Sequence, residues 1–289
     1  MDAFINKIVI TGLVVCSVSF LFCATIKNVE ITYIDSKPDQ SDTKVKREYQ
    51  LFDSTGKITQ KKVVDLINTL TELIEYIQEY KYKNELLDEI IRFDESKNID
   101  FIYRYSYSKQ GLIKQRETVQ DGNVIRKWTY YYNNTFQTNK VEIFSFGKLS
   151  MIEYYFYKGP LLESFISYDG NGNVVDYFTN YYQEGGLVRK VKKGTASDQQ
   201  EDLYRYDHSK NLIETISIDK NSKRTLTRFV NYYDKDLLTK TEMYFGQSNL
   251  RTIDIYSYYP SGEIKECVRY SPFFKVTNQI LKYKYEYFK

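Results

Sequence analysis

The residue types that usually do chemistry are scarce in this chain. His208 is the only histidine. It lies in Asp207-His208-Ser209-Lys210, a stretch of turn composition, so it reads as a solvated turn residue and not as a general base. Of three cysteines, Cys16 and Cys23 fall in an apolar leader, which leaves Cys267 as the only thiol beyond it. No disulfide framework and no Cys-based zinc site can be assembled from that set. Asp169-Gly170-Asn171-Gly172-Asn173 places Asp and Asn at alternate positions, as a calcium loop does. Val174 stands where the loop needs Gly, and Asn180 stands where it needs Glu, so a hairpin turn is the better reading. Phosphate-binding glycine motifs are absent; Phe146-Gly147-Lys148 is only a turn. Asp and Glu are plentiful without distinctive spacing, so a glycosidase pair would be invisible at this level. No catalytic, metal-binding or cofactor-binding residue is assigned, and the chain reads as a non-enzyme.

The elements around these residues begin with a leader, residues 1–24. Lys7 precedes the uncharged run Ile8–Ala24, which suits a secretory signal and is short for a membrane-spanning helix. Cys23 is a candidate for lipidation, although Phe22 occupies a position where a small residue is expected; cleavage and retention as an anchor are the alternatives. Residues 25–58 hold strand-like alternation at Val29–Ile34, a polar loop at 35–44 and a hairpin-like piece at 49–58. In 59–79, Val63, Leu66, Ile67, Leu70, Leu73, Ile74 and Ile77 recur at three- and four-residue spacing, which predicts one amphipathic helix.

From residue 80 to 289 one pattern returns about every 25 residues. An aliphatic slot falls at Leu87, Leu112, Leu162, Leu187, Leu212, Leu238 and Ile264, with Gln137 taking it once. Five residues earlier stands the end of an aromatic strand: Tyr82, Tyr107, Tyr132, Tyr157, Tyr182, Asp207, Tyr233 and Tyr259. Polar turns such as Ser108–Gly111, Asp121-Gly122, Glu184-Gly185 and Pro260–Gly262 separate the strands. In this frame Asp207 replaces a tyrosine. Early units end on Tyr103-x-Tyr105-x-Tyr107, whereas Tyr204-x-Tyr206 and Tyr256-x-Tyr258 are shifted by one, which would reverse their faces. The 30 Tyr and 17 Phe residues favour strands. Trp128, the only tryptophan, reads as core, and Asn133-Asn134-Thr135 is a glycosylation sequon that matters only in a eukaryotic secretory pathway.

Tyr204-x-Tyr206-Asp207-x4-Leu212 and Tyr168-Asp169-x2-Gly172-Asn173-Val174 resemble the YD (RHS-type) repeats of bacterial surface and toxin-shell proteins. The short hairpins are also similar to MORN-type repeats. The resemblance spans about residues 80–289 and implies a hairpin ribbon or spiral sheet in an exported bacterial protein, used for enclosure or surface contact. It transfers no catalytic residue.

The sequence therefore predicts an all-β fold: tandem hairpins in an extended or spiral antiparallel sheet, preceded by one N-terminal amphipathic helix. The expected function is non-catalytic binding of an envelope protein or glycan by an exported protein, through a surface the sequence does not locate. The alternatives are an envelope polysaccharide hydrolase with a carboxylate pair and a periplasmic immunity-like binder. Formal charge is +3 from 41 basic and 38 acidic residues, which gives no case for nucleic acid. Membrane contact is expected only through the leader or a lipid at Cys23.

Overall fold

The structure, a computed structural model, describes residues 26–35, 44–67, 71–194, 199–273 and 275–287. Cys16, Cys23 and the leader lie outside them. The N-terminal quarter forms β1 (Ile26–Asp35), β2 (Lys44–Phe52), β3 (Ile58–Ile67), β4 (Thr71–Lys83) and β5 (Leu86–Phe93). Next come β6 (Ile99–Tyr107), β7 (Ile113–Gln120), β8 (Asn123–Tyr132), β9 (Thr138–Ser145) and β10 (Lys148–Lys158). They continue into β11 (Leu161–Asp169), β12 (Val174–Gln183), β13 (Gly186–Gly194), β14 (Gln199–Tyr206) and β15 (Leu212–Asp219). The last are β16 (Thr225–Asp234), β17 (Leu237–Phe245), β18 (Asn249–Tyr258), β19 (Ile264–Ser271) and β20 (Val276–Tyr287).

Every strand pairs antiparallel with its neighbours in sequence, and β1 also pairs with β20, from Ile26↔Tyr287 to Asp35↔Gln279. The fold is a closed 20-stranded antiparallel barrel. This overturns the extended or spiral sheet expected from the hairpins. A sheet of hairpins leaves two edges with unpaired backbone groups, and closure pairs them.

The amphipathic helix is also overturned: among the described residues there is no helix, and 59–79 is taken up by β3 and β4. Val63 pairs with Tyr76, Val64 with Ile74 and Lys62 with Ile77. Antiparallel pairing of β3 with β4 brings aliphatics from both arms together, Val64 opposite Ile74, and their spacing imitates a helical face. Val63, Val64, Ile74 and Ile77 are β-branched, which tips the local preference toward strand. Val64 is 0% exposed, the most buried large side chain described.

The hairpin turns explain the one-residue shift. Seven of them share one construction, opening at Asp53, Asp94, Ser108, Asn133, Asp169, Asp207 and Tyr259. In each, the opening N–H donates to the carbonyl four residues on, and the N–H of the residue three positions on donates back to the opening carbonyl. That fourth residue has positive φ, as at Gly56, Gly111 and Gly172. A β-bulge follows, for example between Ser106 and Tyr107. Asp207 is therefore a turn-opening residue equivalent to Ser108, not a substitute for Tyr107. Tyr206 and Tyr258 are the true counterparts of Tyr107, and the apparent reversal of faces disappears.

Backbone contact between strands is confined to ladder neighbours, so the wall is one sheet thick. Few side chains are buried outright, and most are half-buried.

Candidate functional site

The registers sort the side chains onto two faces. Tyr105, Arg116, Trp128, Ile143 and Met151 lie across one face, with Tyr130, Val141, Glu153 and Ser167 beside them. This face carries most of the buried ladder residues, among them Val29, Glu48, Val141, Ile143, Ser167, Asp202, Asp254 and Leu281. Side chains crowd together on the concave side of a closed sheet, so the more buried face is the inner one. Burial first of all pushes up the hydroxyls of Tyr33, Tyr105, Tyr130, Tyr155, Tyr204 and Tyr285, and that of Tyr80 to about 12.

The inner tyrosines at strand ends act as rivets. Tyr107 donates to the Leu87 carbonyl at 2.6 Å, Tyr132 to Ile113 at 2.7 Å and Tyr182 to Leu162 at 2.8 Å. Tyr206 reaches Leu187 at 3.0 Å, Tyr233 reaches Leu212 at 3.1 Å and Tyr258 reaches Leu238 at 2.7 Å. Where Gln137 stands in the aliphatic slot, its own Nε2 donates to the Gly159 carbonyl at 2.7 Å. Each tyrosine bond joins one hairpin to the preceding one at a bulge, where the ladder leaves a carbonyl over, whereas the Gln137 bond runs forward to the turn between β10 and β11.

The outer face is held differently, by ion pairs across strands and, at Lys140–Glu142 and Lys240–Glu242, along a single strand. Arg104–Glu89 (3.1 Å), Lys140–Glu142 (2.6 Å), Arg228–Glu214 (2.6 Å), Lys240–Glu242 (2.9 Å) and Arg189–Glu201 all sit on it. Glu214 is buried and takes Arg205 as well, at 2.9 Å. On this side Tyr131, Tyr232 and Tyr244 are raised first by hydrogen bonds to Glu142 or Glu242, Tyr244 to about 12.

The middle of one stretch of the outer wall carries no charge. On β10 the outward residues are Ile152, Tyr154 and Phe156; on β11 they are Ser164, Ile166 and Tyr168; on β12 they are Tyr177, Thr179 and Tyr181. Phe156 is 49% exposed and Tyr181 44%. Tyr154 and Tyr168 meet edge to face at 6.1 Å. A shallow groove of about 770 Å³ runs along Leu149, Ile152, Tyr154, Phe156, Ile166 and Tyr168 to the 169–172 turn. The turn lies so close that a Cβ on Gly170 would collide with the Leu149 carbonyl oxygen. Ion pairs flank the strip, Lys140–Glu142 on β9 and Arg189–Glu201 on β13 and β14.

The residues weighed for chemistry are now placed. Asp169 Oδ1 accepts the N–H groups of Asn171 (2.9 Å) and Asn173 (2.8 Å), and Oδ2 accepts Asn173 Nδ2 (3.0 Å). Its carboxyl is held low chiefly by Asn173, and its oxygens serve the turn instead of a cation. Asp207 binds Asn211 in the same way, and His208 lies in that turn. Cys267 is buried on the inner face. The sequon residue Asn133 closes its own turn through Thr135 and Gln137. Inner carboxylates are engaged: Glu48 with Lys61, Asp202 with Ser217 and Asp254 with both nitrogens of Arg269. Among the described residues no group of three or more His, Cys, Asp or Glu is arranged to hold a metal.

No protein-family model and no curated protein matches the chain. Among solved structures, a porin-like protein from Bacteroides uniformis aligns over 91% of this chain and 98% of its own, at 13% identity and TM-score 0.42. A porin-like protein from Bacteroides vulgatus aligns over 88% and 97%, at 10% identity and TM-score 0.29. The TcdB2-TccC3 structure aligns over 80% of this chain, at 11% identity and TM-score 0.33, and the matched part is 18% of that chain.

Proposed function

We propose that this chain is an exported, non-catalytic binding barrel of the bacterial envelope, and that the charge-free strip on β10–β12 receives a protein partner. The strip carries the reading. A charge-free row of half-exposed rings framed by ion pairs has the makeup of an interface core and its polar rim. The same outer wall bears on where the barrel sits. A lipid-facing barrel needs an apolar band, and charges at mid-membrane are costly. Arg104, Glu89, Arg228 and Glu214 occupy mid-strand outward positions, so the wall suits water, with attachment left to the leader or a lipid at Cys23.

The test uses the full chain expressed with its leader. Wild type, Tyr154→Lys/Ile166→Lys and the control Ile255→Lys, an outward change on β18, are used to capture proteins from envelope extract. Wild type and control should recover the same protein, and the double variant should lose it. If the double variant recovers it equally, the strip is not the binding surface. Fractionation of Cys23→Ala beside wild type reads the anchor; a cytosolic wild type overturns the envelope assignment.

A further inference from the structure

The inner wall holds two arginines that no carboxylate neutralises. Lys61 pairs with Glu48 at 2.9 Å, Arg92 with Asp100 at 3.3 Å, Lys192 with Asp202 at 3.7 Å and Arg269 with Asp254 at 2.7 Å. Arg116 and Arg126, among the described residues, form no ion pair. Both instead lie against Trp128, with the Arg116 guanidinium 3.8 Å from its ring centre and that of Arg126 at 4.9 Å. Stacking uses the flat face of a guanidinium and leaves its N–H edges free. The buried Nε of Arg116 has no acceptor. Tyr105 stands directly opposite Arg116 in the ladder and Tyr130 two residues along from Trp128 on the same face, so two further hydroxyl donors border the pair. The nearest inner carboxylates are occupied, Asp100 by Arg92 and Glu153 by Tyr155 at 2.6 Å.

We infer that Arg116 and Arg126, held by Trp128, form an oxyanion site on the inner wall, and that its ligand is an acidic saccharide. Planar guanidinium edges match carboxylate, sulfate or phosphate oxygens. The rings of Tyr103, Tyr105 and Tyr130 on the same face supply the flat apolar surface that sugar rings stack on. Unlike the outer strip, this site asks for charge, so the two would bind different partners and can fail separately.

Trp128 is the only tryptophan, so its fluorescence reports this site directly. The full chain is titrated with trigalacturonate, maltotriose and inorganic phosphate. Trigalacturonate should give a saturable change, maltotriose none, and phosphate a response at least tenfold weaker in concentration. Arg116→Gln should weaken trigalacturonate at least tenfold, while Lys190→Gln on β13 leaves it unchanged. Should Arg116→Gln misfold by circular dichroism, Arg126→Gln carries the test on the same terms. A response that survives both arginine changes, or no saturable response to any anion, overturns the site; phosphate binding as tightly as trigalacturonate overturns the saccharide.

Discussion

Strands β10–β12 and strands β13–β18 are cut from the same hairpin, yet their exteriors differ completely. Inside, both use rings and rivets: Tyr155 and Phe165 in the first stretch, Tyr204 and Phe229 in the second. Outside, the second stretch locks Glu201, Glu214 and Glu242 to cations, whereas the first shows Ile152, Tyr154, Phe156 and Ile166 to solvent. The fold thus draws on the inner half of the alternation and leaves the outer half free to vary. An outer stretch that gives up its ion pairs loses about 0–1 kcal/mol where the pair is exposed, and more where the carboxylate is buried, as at Glu214. What it gains is an adhesive surface.

That contrast can be broken from the inside first. Tyr107→Ala removes a half-buried ring and a rivet, and should cost about 2–3 kcal/mol in chemical denaturation. An equal loss from the outward Tyr181→Ala would show that the faces are not divided as described. Tyr107→Phe keeps the ring and loses only the bond to Leu87, at about 1 kcal/mol.

Titration sharpens the same contrast. The inner tyrosines have folded values raised above an unfolded value of about 10, so their contribution is complete below pH 10 and is lost as pH rises through the raised values. Circular dichroism should therefore show unfolding on the alkaline side, beginning above about pH 10 and passing 12. The turn carboxyls run the other way. Asp169 and Asp207 are lowered by their own turns, so their contribution holds above about pH 4 and fades below it. Asp207→Asn should flatten the acid limb slightly; an unchanged limb would mean the Asn211 bonds contribute nothing.

The smallest effect is expected on the strip itself. Ile166→Lys should change stability by less than about 0.5 kcal/mol, because the new charge faces water. A large loss would place Ile166 in a core and remove the basis for the binding surface.

What could be read from the sequence followed how far apart the deciding residues lie. The polar turns were legible because Asp169–Asn173 and Asp121-Gly122 carry their own backbone requirements. The expected helix over 59–79 fails because β3 and β4 pair antiparallel and set Val64 opposite Ile74, which spacing alone cannot show. Closure depends on Ile26 meeting Tyr287, and nothing local announces it. Tyr206 was misaligned by one because spacing aligns Leu212 with Leu112, whereas Leu212 pairs with Tyr206 as Ile113 pairs with Tyr107. Ile152-x-Tyr154-x-Phe156 looks like any strand until the register says which way it points and what its neighbours on β9 and β13 carry. Trp128 read simply as core; its two arginines become visible only when β7 and β8 are set side by side.

A wall in which the backbone of each strand touches only its two flanking strands constrains its circumference weakly. Twenty strands at about 4.8 Å give a girth of roughly 96 Å before tilt. Inserting or deleting one hairpin would alter that girth by about a tenth while leaving the ladder pairs away from that point in place. Ring size in such a protein is thus set by gene length and not by packing, and lineages could widen or narrow the bore by duplicating a single 25-residue unit.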